Sequence, residues 1–210
     1  MDMRGKTLFM AQFALLLSIL AVFCFTPFGQ IPMFSGMVAS LAAIPIVVAG
    51  LALGAKAGAL MGGFGGLFSL VIWTFMPPPS LLAFIFTPFY TLGETKVNVG
   101  SLLINIVPRV AVGAVAALAR IALEKALPRN RLVCFAIGGA LGSLANTFGF
   151  VLGAWLFFGA QIAKAAEAAA STVLVGIILM NGLPEAAICA LAAAALCKPI
   201  LLLEKRRAKT

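Results

Sequence analysis

The chain contains no histidine and only six acidic residues, Asp2, Glu94, Glu124, Glu167, Glu185 and Glu204. The first absence excludes imidazole catalysis and histidine metal sites. The second leaves no paired-carboxylate motif, and Glu185 alone does not make an active site. The chain is therefore read as no enzyme, with no cofactor and no metal. It has no G-x-x-x-x-G-K-S/T stretch, so any ATP-driven step belongs to another polypeptide. Its four cysteines, Cys24, Cys134, Cys189 and Cys197, lack metal or disulfide spacing and read as free apolar thiols. Charge is scarce too: 10% of the 210 residues are charged and 63% are hydrophobic. A soluble domain of this size needs far more polar surface, so the sequence describes an integral membrane protein.

What is present is a series of six apolar windows, near 8–25, 36–54, 57–75, 101–121, 132–158 and 171–203. Each is close to or beyond the roughly 20 residues that cross a bilayer as a helix. The expected fold is all-α: a compact bundle of six transmembrane helices forming one domain over residues 1–210. The last two windows are long enough to be tilted, broken or extended. Pro184 and Pro199 are candidate break points in the sixth. Basic residues alternate between loops. Twelve of the fifteen fall at the termini and in the loops at 56 and 120–131, whereas the opposite loops hold Lys96 and Lys164. The positive-inside rule then places both termini in the cytoplasm of a multi-pass cell-membrane protein. The net charge of +9 follows from this bias and is no nucleic-acid signal. The tail from Lys205 to Lys209 is suited to anionic lipid headgroups. The first window has a basic leader but no small-residue cleavage site, so it reads as a retained helix.

Arg109, the fifteenth basic residue, lies inside the fourth window, where a guanidinium costs at least about 2.5–3.5 kcal/mol. Such a residue faces a protein interior or an aqueous cavity and has a partner there. Asn105 lies one turn earlier on the same face. Asn146 and Thr147 sit mid-window in the fifth segment, and Asn181 and Glu185 are four apart around Pro184 in the sixth. At 1.5 Å per residue, Arg109, Asn146 and Asn181 lie roughly 12, 18 and 15 Å from the outer ends of their windows. Two readings stand. In one, these residues form a pocket open to the outside, with Arg109 offering a donor fork to a carboxylate and the asparagines serving hydroxyls or amides. In the other, Arg109 and Glu185 are a structural pair and the asparagines bond across helices. The two are compatible if a resting pair is exchanged for a ligand. Phe84, Phe86, Phe89 and Tyr90, after the stiff Met76-Pro-Pro-Pro-Ser80, are either interfacial aromatics or a cover for the ligand. Gly50, Gly54, Gly58, Gly62 and Gly66 recur every fourth residue, as in tight helix packing or a sliding surface for another protein. Ala11, Ala14, Ser18 and Ala21 form a similar small-residue face on the first window.

Ile44-Pro45, Gly54-Ala-Lys-Ala-Gly-Ala-Leu-Met-Gly62, Val107-Pro-Arg-Val-Ala-Val-Gly113, Gly142-Ser-Leu-Ala-Asn-Thr147 and Asn181-Gly-Leu-Pro-Glu-Ala186 occur in this order along the chain. In order and spacing the chain resembles the substrate-binding S component of energy-coupling factor (ECF) vitamin transporters, most of all the pantothenate type. The resemblance covers nearly the whole chain. It implies vitamin capture at the outer face, docking to a coupling transmembrane subunit with two ABC ATPases, and release inward. It also implies that the Ala14-x-x-x-Ser18 face meets the coupling subunit, with serine standing where the family pattern has alanine. Arg109, Asn105, Asn146, Asn181, Glu185 and Tyr90 are the candidate vitamin-binding residues. The alternatives are an S component for a different vitamin and a stand-alone secondary transporter or channel for a small organic anion. The latter is expected to carry an internal repeat, and none is evident.

Overall fold

Within a bilayer every backbone polar group must be paired inside the protein, which restricts long apolar segments to helices or closed barrels. The computed structural model describes residues 3–32, 38–76, 83–89, 99–166 and 169–207, and these are almost entirely helical. The order is α1 (Met3–Phe25), a 3-10 turn, β1 (Gln30–Pro32), β2 (Val38–Ser40), α2 (Ala43–Leu53), α3 (Ala55–Phe75) and α4 (Ala83–Phe86). Then come α5 (Val99–Ala126), α6 (Arg131–Ala166), α7 (Ala170–Ile177), a π-helical segment (Ile178–Gly182) and α8 (Leu183–Arg207). Among the described residues, five helical stretches are long and apolar enough to cross a membrane. The protein is an all-α membrane bundle.

The second expected window, 36–54, is the exception. Its first part is the strand β2, paired antiparallel with β1 in the register Gln30↔Ser40. Helix begins only at Ala43, so α2 has 11 residues and rises about 16 Å, half the hydrocarbon thickness. Pro45 explains the late start. A proline is tolerated in a first helical turn, but its ring collides with the carbonyl four residues back, here that of Leu41. Hydropathy alone does not separate a strand from a helix in such a run. α2 passes into α3 at Gly54, whose φ of 99° favours glycine.

The sixth window is broken beside Pro184, one of its two candidate break points. Its break is the π-helical segment before Pro184, where the Leu183 N–H donates to the Ile178 carbonyl, five residues back. Pro184 has no N–H to offer the Met180 carbonyl, so a regular ladder cannot continue through this turn. Pro199 lies inside α8 without ending it.

α5 is the central helix, and glycine brings its neighbours close on two sides. Gly58, Gly62 and Gly66 of α3 lie against the backbone of α5 at Gly113, Arg109 and Asn105–Ile106. Gly142, Gly149 and Gly153 of α6 lie against Val112, Pro108 and Ile104 on the same helix. Both contacts run in antiparallel register, and the α3 contact advances one turn per step, so the ladder serves packing. Two apolar cores result. One joins α1, α2, α3, α5, α6 and α8 around Leu20, Ile46, Met61, Val112, Phe135 and Cys189. The other joins α4, α5, α6 and α7 around Ile85, Ile104, Phe158 and Leu174. At the far end of α2, Arg120 donates to the Leu51 carbonyl, pairs with Glu124 at 2.9 Å and lies 4.2 Å from the centre of the Phe135 ring.

Candidate binding site

The late start of α2 leaves room at that end of the bundle, and a cavity of about 160 Å³ lies there. An apolar cavity of about 150 Å³ is large enough to hold benzene, so this one suits a small organic molecule. Ser40, Ala42 and Ala43 form one wall, at the strand–helix junction that Pro45 creates. Ile46 and Val112 from the first core and Ile104 from the second also line it, so it sits where the two cores meet.

Arg109, Asn146, Asn181 and Glu185 all line this cavity, together with Thr147 and Ser40. α5 supplies the arginine, α6 Asn146 and Thr147, the π-helical segment Asn181, and the first turn of α8 Glu185. The expected Arg109–Glu185 pair is not formed. The Glu185 Oε1 accepts the Ser40 backbone N–H at 2.7 Å, and the Arg109 Nη1 donates to the Asn105 carbonyl at 3.2 Å. Each charge is thus held by backbone, and most of the five guanidinium donors remain for another partner. Asn181 Oδ1 is buried with no hydrogen-bond partner. Among the described residues Asn146 has no side-chain partner either.

Asn105 is placed differently. It is fully buried and does not line the cavity. Its Oδ1 accepts from the Ser69 hydroxyl at 3.1 Å, and its Nδ2 donates to the carbonyls of Phe86 at 2.6 Å and Ser101 at 3.0 Å. It therefore ties α4 to α5 behind Arg109. Tyr90 lies outside the described residues. Phe86 stacks with Trp73 of α3 at 4.3 Å and with Phe150 of α6 at 5.1 Å, and both Phe86 and Phe150 line the cavity.

The arrangement presents a cation, unspent amides and a carboxylate inside an apolar enclosure. That is the donor and acceptor set for a small organic acid carrying hydroxyl or amide groups. The model of one protein family, described as ECF transporter, substrate-specific component, matches residues 8–197. The chain belongs to this family. No curated relative matches it. As an ECF substrate-specific component it is a substrate-binding transport subunit and not an enzyme. Membership implies interaction with an ECF module and with a small-molecule substrate.

On α1 of this S component, Phe13, Leu16, Leu17, Leu20 and Cys24 face the bundle. Ala11, Ala14 and Ser18 are exposed, and Ala21 is half-buried. The Ser18 hydroxyl donates back to the Ala14 carbonyl at 2.9 Å, so these small residues offer no free side-chain donor. Two cavity residues, Ser40 and Phe150, were not among the candidates from the sequence. Ser40 falls in a run that reads as helix, and its part depends on its backbone N–H. Phe150 lies one turn from Asn146, and that spacing alone could have suggested it.

Proposed function

We propose that this S component binds a small carboxylate vitamin, with pantothenate as the ligand, in the cavity beside Arg109. The observation that carries the reading is the pairing of unspent Arg109 donors with the unpartnered Asn181 Oδ1 around one enclosure. A buried acceptor without a partner costs roughly 1–3 kcal/mol, and a ligand hydroxyl or amide N–H removes that cost. Pantothenate has one carboxylate, one amide and two hydroxyls, which matches a guanidinium flanked by Asn146, Asn181 and Glu185. Residues 1–210 act as one domain in the cell membrane, with both termini in the cytoplasm. The vitamin enters from the outer face. Release inward follows docking to a coupling transmembrane subunit that carries two ABC ATPases. Ala11, Ala14, Ser18 and Ala21 form the docking face on α1. Exposure of the first three supports that role.

The test is titration calorimetry on the purified chain without ATPases. Pantothenate is expected to bind at submicromolar affinity. Arg109→Ala is expected to lose about hundredfold or more, the usual cost of removing one partner of a buried charge pair, while its helical content stays native. Unchanged affinity in that variant dismisses this placement of the ligand. Heat with another vitamin alone replaces the substrate and keeps the transport class.

A further inference from the structure

The charged side chains lining the cavity are Arg109 and Glu185. They face one enclosure without forming an ion pair: Glu185 accepts from the Ser40 N–H of β2, and Arg109 donates to the Asn105 carbonyl one turn back on its own helix. Holding a carboxylate apart from the nearest cation in such a place is costly, since desolvation is not repaid by contact with an opposite charge. The bond to the Ser40 N–H does not by itself require that charge. A glutamine amide oxygen accepts the same N–H.

We propose that Glu185 is a specificity-determining anion that restricts the cavity to singly charged acids. The inference rests on the reading that a ligand carboxylate sits at Arg109. With that cation occupied, a second negative group on the ligand meets the Glu185 carboxylate, and no other cationic side chain lines the cavity among the described residues. Two like charges roughly 6 Å apart, at the effective dielectric constant of about 20 that suits protein sites, weaken binding on the order of a hundredfold. Hydroxyl and amide N–H groups meet the opposite response. The free Oε2 of Glu185 and the unpartnered Asn181 Oδ1 both accept hydrogen bonds. The class selected is a monocarboxylate bearing donors some distance from its acid group. Dicarboxylates and phosphate esters of the same skeleton are excluded by charge.

The probes are pantothenate and the dicarboxylate formed by oxidising its terminal CH2OH to a carboxylate, a change of one heavy atom. Affinities are measured by calorimetry for the native chain, Glu185→Gln and Glu185→Asp. The readout is the ratio of the two affinities, so a general loss of binding in a variant drops out. The native chain is expected to favour pantothenate by on the order of a hundredfold. Glu185→Gln, which retains an acceptor for Ser40, is expected to narrow that ratio at least about tenfold. Glu185→Asp, which retains the charge, is expected to preserve most of it, and this comparison holds if the glutamine variant does not fold. A ratio unchanged in Glu185→Gln, or lost equally in Glu185→Asp, overturns the charge filter while pantothenate binding stands. No heat with pantothenate in the native chain removes the pantothenate reading and this inference with it.

Discussion

Three asparagines stand in apolar spans of this chain, and their surroundings give them different work. Asn105 has spent its side chain. Removing it strands the Ser69 hydroxyl and leaves the Phe86 carbonyl without its donor. At roughly 1–3 kcal/mol for each buried group left unpaired, Asn105→Ala should destabilise the protein by about 2 kcal/mol or more. A lowered thermal midpoint without ligand checks this. Asn181 is the reverse case, because its Oδ1 has no partner to lose. Asn181→Ala is expected to leave the empty protein as stable as before or slightly more so. Pantothenate binding should fall by roughly 5- to 100-fold, the worth of a hydrogen bond to a buried acceptor. A lower midpoint with unchanged affinity would mean that Asn181 is structural. The residue type and its place inside an apolar window were legible in the sequence for both. Which amide is spent was not, because that depends on Ser69 and Phe86, which lie 36 and 19 residues from Asn105 along the chain.

At the level of the element, glycine fixes how closely α3 and α5 approach, and through that where the Arg109 backbone lies. A methyl group at Gly62 overlaps the Arg109 carbonyl, whereas at Gly63 the nearest atom is a Val110 methyl 3.9 Å away. Gly62→Ala must separate two backbones and is expected to cost about 1–3 kcal/mol or more. Gly63→Ala, one residue on, should be neutral or slightly stabilising, since alanine favours helix over glycine by up to about 1 kcal/mol. Thermal midpoints of the two variants decide it, and equal losses would show that the register of this contact is wrong. The four-residue glycine period was readable in the sequence, as were most of the long helices, because both are local patterns. The limits of α2 were obscured by the same apolar composition that revealed the spans, whereas the break before α8 was legible at Pro184 and only its π-helical form was not. Pro45 carried the missing information for α2, as Pro184 did for the break. Each denies a partner to a carbonyl four residues earlier, and one shortens a helix while the other follows a π-helical turn. Both departures border the cavity, so the hydropathy pattern was least informative beside the candidate site.

Over the whole molecule, α1 is held least by its own bundle. Only 6% of its most apolar window is buried, against 22–39% for the other four long spans. Its exposed side includes Ala11, Ala14 and Ser18, with large apolar residues such as Leu15 and Ile19 nearby. In lipid, apolar exposure gives little drive for helices to associate, and small residues matter because they allow backbones to approach. A flat strip on a loosely held helix therefore suits a second membrane protein, and the ligand cavity does not include it. Enlarging the strip should separate binding from transport. Ala14→Phe is expected to keep pantothenate affinity within about twofold, because the added ring points away from the residues that line the cavity. In vesicles containing the coupling subunit and both ATPases, the same variant should lower ATP-dependent uptake by about tenfold, since overpacking a close helix contact costs about 1–3 kcal/mol. Ala14→Gly, which keeps the strip small, should transport nearly as well as the native chain. Full uptake by Ala14→Phe would move the docking face elsewhere on the bundle. Loss of vitamin binding in that variant would instead show that α1 supports the cavity, through the Phe13–Leu20 side that packs against the first core.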